Sequence, residues 1–121
     1  MKRLPSGELE NLVLDIVWAA PGPVTPREVH DSVIKTRKLA YTTVMTILVR
    51  LCDKGVLDRE PAGRAYAYAP RITKEERAAA RMGEALTAAG DPALALTHFV
   101  QALPPDQLDE LRSAMRRARS K

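Results

Sequence analysis

A chain of 121 residues is long enough for one modest hydrophobic core with an appended segment, and too short for a large multidomain enzyme. With 45% hydrophobic and 28% charged residues it has the balance of a folded protein rather than a disordered one. The net charge of +4 suits a polyanionic partner, but the basic excess is shared evenly between residues 1–70 and 71–121, so the position of the cations says more than their number. No apolar run approaches the roughly 18 residues that span a bilayer, and Met1–Gly7 turns polar before a signal-peptide core can form, so the expectation is a cytoplasmic protein without a membrane partner. The single Cys52 excludes an internal disulfide and a multi-thiolate metal site.

In chain order, Leu9, Leu12, Val13, Ile16 and Val17 have the spacing of one helix face, with Ser6 as a candidate N-cap and Pro21-Gly22-Pro23 as the stop. Thr25-Pro26-Arg27-Glu28 is a capping box with proline at the first helical position, opening a short second helix through Val29 and Val33. A turn over Lys35–Leu39 leads into a third helix, whose core face is Val44, Ile47, Leu48 and Leu51 and whose left-handed stop is Gly55. The period then changes. Val56–Glu60 and Arg64–Tyr68 flank the turn Pro61-Ala62-Gly63, which predicts a hairpin with Tyr66 and Tyr68 on one face, packed on the helices.

Beyond Pro70, Thr73-Lys74-Glu75-Glu76 is a second capping box, opening a helix through Met82 and Leu86 that stops at Gly90. Asp91-Pro92 restarts a helix bearing Leu96, Phe99, Val100 and Leu103, and Pro104-Pro105-Asp106 begins a last one bearing Leu108, Leu111 and Met115. The fold class expected is mainly α with a small two-stranded wing: a winged helix-turn-helix over residues 1–70 and a helical dimerisation region over 71–121. Leu96, Phe99, Val100, Leu103, Leu108, Leu111 and Met115 are too many apolar groups for an exposed tail, and they are the expected dimer contacts.

The third helix carries the functional signal. With its apolar face spent on the core, Thr42, Thr43, Met45, Thr46, Arg50 and Lys54 point outward or to the flank. A merely solvated helix favours Glu, Lys, Gln or Ala over three threonines. Threonine hydroxyls can bond base edges, threonine methyls and methionine can pack on thymine methyls, and Arg50 and Lys54 can reach phosphates. Helix capping explains Thr42 but leaves Thr43 and Thr46 without a reason. Arg59 and Arg64 flank the wing tip, where each is either a DNA contact or an ordinary solvated charge. His30 and His98 have no companion ligands, Cys52 borders the core face as a small hydrophobe, and no catalytic set or glycine-rich phosphate loop stands out. Neither a cofactor, a metal nor an enzymatic activity is expected.

These residues resemble the penicillinase-repressor family (BlaI/MecI/CopY). The likeness rests on Gly7-Glu8-Leu9-Glu10 through Trp18, Val24 through Val29, Ala40-Tyr41-Thr42-Thr43-Val44-Met45-Thr46 with Leu51 and Lys54-Gly55, and Tyr66, Tyr68 and Pro70. The resemblance implies a homodimer that binds a double-stranded DNA operator dyad through its winged helix and represses genes, typically those of β-lactam resistance. It also implies a sensor-linked protease as a partner. Ala95-Leu96-Thr97-His98-Phe99-Val100 resembles the family's cleaved string, with His98 where asparagine stands, which places a cut between His98 and Phe99; the alternative is that Phe99 is simply a dimer-core residue. The copper-responsive branch ends in a Cys-x-Cys pair, whereas this chain ends Arg116-Arg117-Ala118-Arg119-Ser120-Lys121, so thiolate copper release is not expected. From a different class, a winged helix can be a protein-interaction module, and steep salt dependence separates DNA binding from that reading.

Overall fold

The computed structural model describes residues 6–119, so the proposed cap role of the Ser6 side chain lies outside what is described. The elements run α1 (Ser6–Ala19), α2 (Pro26–Val33), α3 (Tyr41–Asp53), β1 (Leu57–Ala62), β2 (Ala65–Pro70), α4 (Lys74–Ala88), α5 (Pro92–Ala102) and α6 (Pro105–Arg119). They form two compact units, residues 1–78 and 79–121, the first taking in the opening turn of α4.

In the first unit, Val13, Leu14 and Val17 of α1, Val29 and Val33 of α2, and Val44, Ile47, Leu48 and Leu51 of α3 close on Val56, Leu57 and Tyr68. Leu9, Leu12 and Ile16, expected on the buried stripe of α1, are only half-buried and pack against this core, while Leu14 is fully buried. The reason is that α1 is covered on several sides, touching α2, α3 and β2. Capping fixes where helices start and stop. Thr25 and Glu28 exchange their bonds at 3.0 and 3.2 Å, and Thr73 and Glu76 do the same at 2.9 Å in each direction. Helix α3 ends in a Schellman motif: Gly55 takes φ +78°, its N–H reaches the Cys52 carbonyl, and the Val56 N–H reaches that of Leu51.

The wing pairs Leu57 with Pro70 through Ala62 with Ala65, antiparallel. Its turn is shorter than the sequence suggests, because Pro61 and Ala62 extend β1 and only Gly63 and Arg64 turn. A two-stranded ribbon leaves one side of each strand unpaired, so a proline is tolerated there. Gly63, at φ +64°, takes the first turn position, the one that requires positive φ in the type II′ hairpin turn. Val24 forms a bridge with Tyr68, with bonds of 2.9 and 2.7 Å, anchoring the base of the hairpin beside α2. Tyr68 is buried as expected, but Tyr66 is exposed: it pairs across from Pro61, too near the tip to reach the helices.

In the second unit α5 opens on Asp91, whose carboxylate accepts from the Leu94 N–H, with Pro92 at the first helical position. No side chain of residues 79–119 is buried. Met82, Leu94, Leu96, Phe99, Val100 and Met115 are all exposed, and Leu103, Leu108 and Leu111 are half-buried.

Candidate nucleic-acid interface

Helices α2 and α3 meet across the turn 34–40. His30 Nε2 donates to the Leu39 carbonyl at 2.9 Å, and the same ring meets Tyr41 edge-on, with centroids 5.7 Å apart. Arg27 lies over the other aromatic partner, 5.9 Å from the Tyr41 ring centre. These contacts fix the entry of α3 relative to α2, a role the sequence did not reveal for His30 because its partners, Leu39 and Tyr41, lie beyond the end of α2.

Helix α3 presents the expected face. Thr42, Thr46 and Arg50 are exposed and Thr43 is half-buried, and all four line one cleft of about 250 Å³ with Leu9 and Ile47. Met45 and Val49 are half-buried on the flank. Capping does not account for Thr42, because the N-cap is Ala40, without any side-chain bond. The Thr46 hydroxyl donates to the Thr42 carbonyl at 2.9 Å. Its single proton is therefore spent, and outward it offers lone pairs and a methyl group.

Lys54, at the C-cap of α3, is placed differently from the other candidates: its ammonium holds the Glu10 carboxylate at 2.8 Å. Glu10 is buried and also accepts from Arg77 at 3.2 Å. Sequence reasoning missed both, although Glu10 falls on the stripe of Val13, Leu14 and Val17, where a carboxylate needs a partner. In the wing, Arg59 stacks over Tyr66, 4.4 Å from the ring centre, and a side-chain hydrogen bond with Tyr68 holds its guanidinium protonated more firmly still. Arg64 is exposed in the turn. Burial pushes the Cys52 thiol up against the opposing pull of Arg59, as suits a structural cysteine.

Of the remaining candidates, Leu96, Phe99 and Val100 sit on α5 and Leu108, Leu111 and Met115 on α6, with Leu103 closing α5 as its C-cap. Met82, Gly83, Ala85 and Leu86 of α4 and Ala95, Leu96 and Phe99 of α5 line a largely apolar groove of about 410 Å³. His98 and Phe99 are both exposed, in the interior of α5.

Two helices joined by the turn 34–40, followed by a two-stranded hairpin on the same core, define a winged helix-turn-helix domain. Residues 6–117 match the penicillinase repressor family. The chain is 41% identical over 112 residues to the transcriptional regulator BlaI of Mycobacterium tuberculosis, covering 90% of this chain and 81% of that one. It is 30% identical over 77 residues to the penicillinase repressor of Bacillus licheniformis, covering 63% and 59% respectively. A solution structure of the DNA-binding domain of the repressor BlaI superposes with a TM-score of 0.53 at 30% identity, over 63% of this chain and 93% of that domain. The chain belongs to the penicillinase repressor family.

Proposed function

We propose that the chain is a homodimeric transcriptional repressor that inserts α3 into the major groove of each half of an inverted-repeat operator. The observation that carries this reading is the exposed face of α3, where Thr42, Thr43, Thr46 and Arg50 line one open cleft rather than packing inward. Thr42 and Thr43 lie in its first turn, the end that meets base edges in a helix-turn-helix. Arg50 and Lys54 follow toward the other end as phosphate contacts, and Arg59 and Arg64 of the wing reach the flanking backbone. Relatives named as BlaI regulators and penicillinase repressors support repression, and point to genes of β-lactam resistance.

The dimer is built from α5 and α6, whose described apolar side chains are at most half-buried within the chain. In this reading Leu96, Phe99, Val100, Leu103, Leu108, Leu111 and Met115 meet their counterparts, and half-sites about one DNA turn apart, roughly 34 Å, match the two α3 helices. The bond between His98 and Phe99 lies within a helix, which must unwind before a protease can bind it in extended form; this supports Phe99 as a packing residue, with cleavage by a sensor-linked protease the alternative. Titration of wild type against an operator duplex and a shuffled duplex over a range of salt tests the proposal. Affinity should fall steeply with salt on both and be at least about a thousand-fold higher on the operator. Equal affinity for the two duplexes refutes operator recognition, and a flat salt response points to a protein partner instead.

A further inference from the structure

Glu10, on α1, ties two distant parts of the first unit together. Its Oε2 accepts from Lys54 Nζ at 2.8 Å, and its Oε1 accepts from Arg77 Nη2 at 3.2 Å. The Glu10 and Arg77 side chains are 6% and 11% exposed, against 52% for Lys54. Arg77 also donates to the Asn11 side-chain carbonyl at 3.1 Å. Along the same side of α1, Asp15 pairs with Lys74 at 3.3 Å and Trp18 Nε1 donates to the Ile72 carbonyl at 3.2 Å. Residues 11, 15 and 18 recur at helical spacing, so segment 72–77 is strapped along one face of α1.

A buried carboxylate is tolerable only while it is paired, and removing its partner leaves an uncompensated charge out of water. Two cations share the Glu10 carboxylate, and they differ in freedom. Arg77 is enclosed and bidentate across Glu10 and Asn11, whereas Lys54 is half-exposed on a flexible stem at the end of α3. With Arg77 in place, the Lys54 ammonium can turn toward an external anion and leave the carboxylate compensated. Without it, Lys54 is the one cation among the described residues bonded to that carboxylate and is held there.

We propose that Glu10 and Arg77 are positioning residues for DNA binding: the docking of segment 72–77 on α1 sets how freely Lys54 leaves Glu10 for a backbone phosphate. This rests on the reading of α3 as the DNA-contacting helix. The two events are then linked, so that phosphate capture by Lys54 and docking of the root of α4 strengthen each other.

The test is a fluorescence-anisotropy titration of a single half-site duplex between about 50 and 200 mM salt, where each phosphate contact contributes close to 0.9 to the slope of log affinity against log salt. Lys54→Met should lower that slope by about one contact. Arg77→Met, far from the α3 reading face in sequence, should lower it comparably, and the double variant should lose no more than Lys54→Met alone. Glu10→Gln/Arg77→Met, an uncharged pair that strands no buried ion, should return the wild-type slope. The proposal is overturned if Arg77→Met keeps the wild-type slope, if the two single losses add, or if Glu10→Gln/Arg77→Met shows the Lys54→Met deficit; should Arg77→Met not fold, the last comparison decides. Absence of half-site preference in the wild type would instead count against the α3 reading itself.

Discussion

Thr46 shows how one hydroxyl narrows what a reading face can recognise. Its proton goes to the Thr42 carbonyl, so in the proposed complex the group would accept but not donate toward DNA, which suits an exocyclic amine of adenine or cytosine or a thymine methyl. Thr46→Val keeps the shape and removes the acceptor. On the proposed operator it should lose about 1–3 kcal/mol of discrimination at one base step while leaving affinity for shuffled DNA unchanged, as read by competition titration with single-base variants. The α3 face itself was legible, since threonines on a helix whose core stripe is already complete need another explanation. The pairing of Lys54 was not, because Glu10 lies 44 residues away and only the folded chain brings them together.

At the scale of elements, the punctuation of the chain is readable because capping is local chemistry. Both threonine-glutamate capping boxes and the Gly55 stop stand where the sequence puts them. A Cβ at Gly55 would meet nothing within 4 Å, so Gly55→Ala isolates the cost of the left-handed backbone, about 1–2 kcal/mol of stability in urea unfolding. The Thr25 backbone and hydroxyl bonds hold the Glu28 carboxyl below its ordinary range. A carboxyl whose folded pKa is depressed contributes fully above its unfolded pKa, and that contribution is lost as the pH falls through the folded one. Thermal melts of wild type and Glu28→Gln should therefore differ at neutral pH and converge in acid; a gap independent of pH would contradict the charged capping box. What remained hidden at this scale was three-dimensional. Leu14 is buried and Tyr66 exposed because of which elements cover α1 and how far the hairpin outruns the core, and periodicity carries neither.

For the whole molecule, the contrast between the two units is the informative fact. The first closes a core around Leu48, Leu51 and Tyr68, while among the described residues of the second no side chain is buried. Apolar helices left in that state call for a covering surface, and in the proposed homodimer a second copy supplies one of matching chemistry. Phe99→Asp should convert a dimer to a monomer in sedimentation velocity while the winged helix keeps its thermal transition. An unchanged sedimentation coefficient would remove α5 from the interface. The apolar stripes of α5 and α6 were visible from spacing alone, because a helix period needs no tertiary information.

The most direct test of operator recognition is a hydroxyl-radical footprint of the DNA upstream of the chain's own coding region. Two protected half-sites of inverted sequence should appear, with centres about one helical turn, 10–10.5 base pairs, apart, and both should be lost with Thr43→Ala/Thr46→Ala. Uniform protection along the duplex, or none at low salt, would contradict operator recognition.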